Sequence, residues 1–144
     1  MISVTLAHEL KNAGLDWQPA LHDFFALPDR LMDDKVFVIS DLLVNIEQLQ
    51  GTQIVSFQGA PEWALDYLVT SDVVWIPTET QMRQRLESAL LASGSLDIDM
   101  ITTIAGVRLD FTYSGQKLSF EARDAQEAYA RALLFLLRND PRDC

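Results

Sequence analysis

Cysteine is all but missing from this chain: Cys144 is the only one in 144 residues. A lone thiol cannot close a disulfide within the chain, so a reducing cytoplasm is the expected setting. Imidazole is nearly as scarce. His8 and His22 stand fourteen residues apart with no cysteine near either, so a zinc site would need both of them plus a carboxylate, and none is expected. Basic residues number 11 against 21 acids, a net charge of −10. So few and scattered cations exclude the phosphate-neutralising surface that nucleic acid requires, and they disfavour anionic membranes for the same reason. No apolar run approaches the length of a membrane span.

Catalytic signatures are also lacking. There is no Gly-x-Ser-x-Gly elbow, and Ser88, Ser93 and Ser95 fall around the end of a helical pattern. Gly115-Gln116-Lys117 lacks both the upstream glycine and the following Ser or Thr of a phosphate-cradling loop. The opening Met-Ile-Ser-Val-Thr-Leu-Ala-His-Glu has no basic stretch and meets His8, Glu9 and Lys11 early, so a signal peptide is not expected. The closing Asp143-Cys144 lacks the residues that follow a prenylated cysteine. No internal repeat or low-complexity tract is present.

What is abundant is core material. Hydrophobic residues make up 49% of the chain, and a chain of this length buries about 70% of the surface its unfolded form exposes. The charge is uneven. Residues 1–72 hold eleven acids and three bases, whereas residues 73–144 hold ten and eight. The acidic first half either serves solubility or presents a patch to a basic partner or a cation.

Periodicity predicts a helix over 3–13, capped by Ser3, carrying Leu6, Leu10 and Ala13 on one face and stopped at Gly14. Residues 16–34 read as irregular, with 23–27 as an edge strand ended by Pro28. Strands are expected over 35–40, 42–49 and 52–57. The last two form a hairpin closed at Gln50-Gly51, which sets Val44 against Phe57, Asn45 against Ser56 and Ile46 against Val55.

Pro61 suits the first turn of a helix running to Val69, with Trp63, Tyr67 and Leu68 directed to the core. A strand over 73–76 stops at Pro77. Thr78-Glu79-Thr80-Gln81 is then a capping box opening a helix with Met82, Leu86, Ala89 and Leu90 as its apolar stripe and Arg83, Gln84, Arg85 and Glu87 in water. Ser93-Gly94-Ser95 is the expected hinge.

A strand over 96–101 turns Leu96, Ile98 and Met100 inward. A second hairpin over 107–123 pairs Phe111 with Leu118 and Leu109 with Phe120 inside, and Arg108 with Glu121 outside. Asp124 with Glu127 starts a final helix striped by Ala125, Tyr129, Ala132, Leu133 and Leu136. The expected fold is therefore α+β: one domain over 1–144 with sub-units of about 1–92 and 95–140, a mainly antiparallel sheet (hairpins 42–57 and 107–123) and about four helices.

Two features bear on function. Pro28-Asp29-Arg30-Leu31-Met32-Asp33-Asp34 gathers three carboxylates and a guanidinium, enough to hold a hard cation or a charged ligand. The spacing fails the EF-hand pattern, and a plain turn with Asp29 accepting backbone amides explains it equally. Tryptophans 17, 63 and 75 read as core, unless two of them are exposed together and form a groove.

Leu10-Lys11-Asn12-Ala13-Gly14-Leu15-Asp16-Trp17-Gln18-Pro19-Ala20, Phe25–Arg30, Val36–Asp41, Gly59–Asp66 and Trp75–Arg83 together resemble a family of small uncharacterised bacterial proteins. Some of these carry the label "pilus assembly protein". The resemblance covers roughly residues 8–87 and implies no catalytic residue.

The expected function is that of a small acidic cytoplasmic domain that binds a protein partner or small ligand without catalysis. Trp17, Asp29, Arg30, Asp33, Asp34 and Trp63 are its contact surface; no cofactor is expected, and homo-oligomer formation stays open. The alternative is a divalent-metal-dependent hydrolase using Asp29, Asp33 and Asp34.

Overall fold

The computed structural model describes residues 1–27, 32–39, 44–49, 52–57, 68–69 and 73–139. In chain order the elements are α1 Val4–Asn12, β1 Phe24–Leu27, β2 Met32–Val38, β3 Val44–Leu49, β4 Thr52–Phe57, β5 Leu68–Val69, β6 Val74–Ile76, α2 Glu79–Ala92, β7 Ile98–Thr103, β8 Gly106–Tyr113, β9 Gln116–Ala122 and α3 Ala125–Arg138. The fold is α+β, with every described strand pair antiparallel in three-stranded sheets.

Among the described residues there are three helices where the sequence points to about four. The missing one, over 61–69, lies at 61–67 outside the described residues. Its last two positions are strand instead, because Leu68 and Val69 pair with Val55 and Ile54 of β4. A partner strand satisfies their backbone groups without a helix, and a β-branched valine suits that pairing.

Backbone contacts group the chain into two compact units, one of Ser3–Lys11 with Asp16–Ile76, the other of Met1–Ile2, Asn12–Leu15 and Pro77–Cys144. Ser93-Gly94-Ser95 lies inside the latter. No described helix is long and apolar enough to cross a membrane.

In the unit of Ser3–Lys11 and Asp16–Ile76, Ser3 caps α1, its Oγ accepting the Leu6 amide at 3.1 Å. Ala7 and Leu10 are buried, while Leu6 and Ala13 are half-buried, so the apolar stripe centres one position off the expected line. Gly14 ends the helix at φ 104, a conformation that favours glycine. Lys11 Nζ reaches the Val73 carbonyl at 3.0 Å and ties α1 to the start of β6.

β1 is the middle strand of the order β2-β1-β6, not an edge. Phe25, Ala26 and Leu27 are at most 1% exposed, so both faces of the strand are covered. A continuous apolar run is the mark of such a strand. Pro28, expected to end this strand, lies outside the described residues. The expected irregular stretch also ends early, since Met32–Asp34 already belong to β2. Ala26 pairs with Val36 but Leu27 with Met32, which leaves Asp33, Asp34 and Lys35 without partners on β1, in a bulge.

In the same unit, β3 and β4 pair as expected, Val44 with Phe57, Asn45 with Ser56 and Ile46 with Val55. Residues 50–51, where the closing turn is expected, lie outside the described residues.

In the other unit, α2 opens on the capping box foreseen from its sequence. Thr78 Oγ1 accepts the Gln81 amide at 3.2 Å and Gln81 Oε1 accepts the Thr78 amide at 2.9 Å. Met82, Leu86 and Leu90 are fully buried, each worth about 1.5–3 kcal/mol relative to exposure. α2 packs on α3, and α3 on β8 and β9.

The order β7-β8-β9 carries the expected register: Phe111 opposite Leu118, Leu109 opposite Phe120, Arg108 opposite Glu121. Phe120 stacks on Phe111 at 5.7 Å and meets Phe135 of α3 edge-on at 5.6 Å, which fixes helix to sheet. Ser114 (φ 50) and Gly115 (φ 81) form the loop, both positive in φ as a type I′ hairpin requires. Leu96 precedes β7 and is exposed rather than inward, because the strand begins only at Ile98.

α3 starts at Asp124, whose side chain accepts the Glu127 amide at 2.8 Å. It buries Ala128, Ala130 and Leu134 besides the expected stripe, so its covered arc is wider than the periodicity suggests. Ala125, at the start of that stripe, is only half-buried.

Candidate functional site

A groove of about 450 Å³ opens on the unit that contains α2 and α3. Its walls come from Arg85, Ala89, Ala92 and Ser93 of α2 and its cap, Leu133, Leu136 and Leu137 of α3, and Tyr113 and Ser114 at the β8–β9 turn, with Leu15 completing the rim. The groove exists because α2 presents alanine where its neighbours are long. Leu86 and Leu90 plug the α2–α3 interface, whereas Ala89 and Ala92, three apart on the helix, leave room opposite the α3 leucines.

Polar groups sit sparingly around this lining. Ser93 is already committed, its hydroxyl donating to the Leu90 carbonyl at 2.8 Å as part of the helix end. Tyr113 and Arg85 are half-buried, so the expectation that Arg85 lies in water is corrected. Arg85 forms part of the wall. Among the described residues no carboxylate, imidazole or thiol lines the groove. Nearby, burial pushes the Tyr129 hydroxyl of α3 above its ordinary pKa, with Arg83 opposing and Glu79 and Glu87 adding to the shift.

The outer face of the β7-β8-β9 sheet holds a second, shallower depression of about 340 Å³, bordered by Asp97, Asp99, Asp110, Thr112, Lys117 and Ser119 among others. Asp99 lies directly opposite Asp110 in the ladder, an arrangement that is unfavourable between like charges. Asp110 is held by Ser119 Oγ, which donates at 2.6 Å, and by Arg108 Nε at 3.1 Å. The Ser119 hydrogen bond is the main reason its carboxyl lies below the usual range; desolvation opposes that shift, and Arg108 adds to it. Arg108 turns along its own strand to Asp110, although Glu121 is its cross-strand neighbour. Among the described residues no three His, Cys, Asp or Glu side chains are placed to hold one metal ion.

The residues singled out from sequence are only partly gathered. Trp17 is half-buried, stacked on Trp75 at 6.3 Å and 6.3 Å from Phe25. Its Nε1 donates to Asp23 Oδ2 at 2.9 Å, the same oxygen that accepts the Ala20 amide at 3.1 Å. Trp75 itself is buried. The two described tryptophans thus form a stacked pair, with Trp17 bonded to the buried Asp23 carboxylate, and are not an exposed groove. Asp33 and Asp34 fall in the β2 bulge. Asp29, Arg30 and Trp63 lie outside the described residues.

The residues that line the groove were not legible as a site. Only the alanines of α2 and the tyrosine ahead of a Ser-Gly turn gave any sign, and both patterns also occur in ordinary packing. No protein-family model matches the chain, and no curated protein or solved structure shows a significant match to it.

Proposed function

We propose that this chain is a non-catalytic cytoplasmic binding domain, and that the groove between α2, α3 and the β8–β9 turn receives an apolar portion of a protein partner or small ligand. The observation that carries this reading is the lining itself: leucine and alanine side chains around about 450 Å³. Ligand sites of that kind are concave, mostly apolar and measure roughly 300–1,000 Å³. Apolar area removed from water there contributes about 25 cal/mol per Å². Tyr113 and Arg85 at the rim supply orientation rather than chemistry.

The fluorescent probe anilinonaphthalene sulfonate tests the proposal. It should bind the folded protein saturably with enhanced emission, and Ala89→Phe, which fills the groove from the α2 side, should weaken that binding at least tenfold. Emission that stays at the free-probe level, or a response that Ala89→Phe leaves intact, sinks the reading.

The hydrolase alternative draws on a different observation, the bulge that sets Asp33 and Asp34 apart from the ladder, since bulges often re-aim side chains next to active sites. A thermal-shift series with Mg²⁺, Mn²⁺ and Ca²⁺ separates the two. A ligand at one hundred times its dissociation constant stabilises by about 2.7 kcal/mol. A rise in melting temperature that Asp33→Ala/Asp34→Ala removes supports the metal site, and the absence of any rise counts against it.

A further inference from the structure

We infer that β7 is a docking edge for a second copy of this chain, pairing antiparallel with its own counterpart so that the two sheets become one. β7 ends the order β7-β8-β9, and among the described residues no strand lies on its other side. An open strand edge is a template for association, and proteins ordinarily block such edges with lysine, proline or a bulge. From Leu96 to Gly106 there is no lysine, arginine or proline. The ladder to β8 also runs from Ile98↔Phe111 to Thr103↔Gly106 without a break. The opposite edge, β9, carries Lys117 and Glu121.

Apolar exposure occurs on β7 and on both of its flanks. Leu96 is 47% exposed, Ile101 38%, and Ile104 at the hairpin tip stands fully in solvent. Scattered apolar residues at a surface need no explanation, but here the exposed Ile101 of the edge strand is flanked by exposed Leu96 just before it and Ile104 just after it.

For a second copy, the charges set one direction and register of pairing. The only charges here, Asp97 and Asp99, lie at one end of the segment. An antiparallel self-pair sets opposite ends together. Centred on Ile101, it faces Asp99 with Thr103, Asp97 with Ala105, Met100 with Thr102, and Ile101 with its own counterpart, and it brings Ile98 beside Ile104. No carboxylate then faces another. A parallel pairing, or one centred on Asp99, sets like charges opposite each other, which is destabilising. The Ile101-centred register also joins residues of the same face, so the side that carries Ile98 and Met100 is continuous across both copies.

Strand-edge contact alone buries less than the roughly 1,600 Å² of a standard interface, so the dimer is expected to be reversible, with a dissociation constant of micromolar order. Each copy carries a net charge of −10. Screening this repulsion strengthens the association, so added salt favours the dimer.

Sedimentation equilibrium on the full chain, from about 5 to about 300 μM, brackets that range of dissociation constants. The apparent mass should climb from 16.2 kDa toward twice that value, and more steeply at higher salt. Ile101→Lys should remain a monomer throughout, whereas Leu91→Lys, which removes an even more exposed leucine from α2, should associate as the parent does. Amide exchange across β7 should slow as the parent protein is concentrated, a readout that needs no variant. A monomer at every concentration overturns the proposal. So does a dimer that Ile101→Lys leaves intact, or concentration-independent exchange in β7. The inference stands apart from the groove reading, because Ile101→Lys does not touch the groove lining.

Discussion

Glu127 binds two arginines and one backbone amide at the start of α3, and removing its charge should cost stability only where that charge exists. Arg131 donates to Oε1 through Nη2 at 2.7 Å and Nε at 3.2 Å, while Arg123 approaches Oε2 through its backbone amide at 3.2 Å and Nε at 3.3 Å. These contacts, led by the Arg131 hydrogen bonds, hold the carboxyl at a pKa of about 2 against an ordinary 4.5. At 1.36 kcal/mol per pKa unit the ceiling is about 3 kcal/mol. The arginine side chains are 92% and 54% exposed, and solvent screening of such pairs brings the expected contribution to about 1 kcal/mol.

The folded pKa lies below the unfolded one, so this stabilisation is complete above pH 4.5 and disappears as pH falls toward 2. Urea unfolding of the parent and Glu127→Gln should show a gap of about 1 kcal/mol at neutral pH. The gap should close progressively below pH 4.5. A gap of constant size from neutral pH down to about pH 2.5 refutes the electrostatic account and assigns the loss to packing. No gap at neutral pH shows the arginines to be spectators.

Three further outcomes follow from geometry. Gly106→Ala should lower unfolding free energy by about 2–3 kcal/mol, because φ 137 disfavours any side chain and a Cβ there runs into the Ala122 carbonyl; thermal unfolding at parental temperature contradicts this. Asp23→Ala should cost about 1–3 kcal/mol and alter tryptophan emission, since it strips the acceptor from Trp17 Nε1 and the Ala20 amide. Asp23→Asn, which keeps an oxygen, should recover most of that loss, and equal losses in both variants would argue against the hydrogen-bond role. Thr78→Ala should remove about 1 kcal/mol by opening the α2 capping box, measurable as a lower urea midpoint with unchanged m-value.

Local patterns were read correctly wherever one principle governed the outcome. The β8–β9 register followed from strict alternation plus a two-residue Ser-Gly loop, and the caps of α1, α2 and α3 followed from Ser3, Thr78 and Asp124 standing ahead of apolar periodicity. Readings failed where a neighbour distant in sequence decided. Residues 23–27 read as an edge because Pro28 ends the run, but β2 and β6 enclose β1 on both sides. Leu68 and Val69 read as the end of a helix, but β4 offered a ladder. Arg85 looked like a solvated helix residue, and became a groove wall because α3 and the β8–β9 turn rise beside it.

The amino-acid sequence alone determined the class of fold, the starts of the three described helices, both hairpin registers and the acidic balance. Each of these rests on interactions between residues close in the chain or on simple counting, so no knowledge of distant neighbours is needed. Tertiary structure alone decided which strand became central, that β7 ends its sheet among the described residues, and where Ala89 and Ala92 left a hollow against Leu133 and Leu137. Edges and hollows are defined by what fails to pack against a surface, and a linear pattern does not record which distant segment will be absent there.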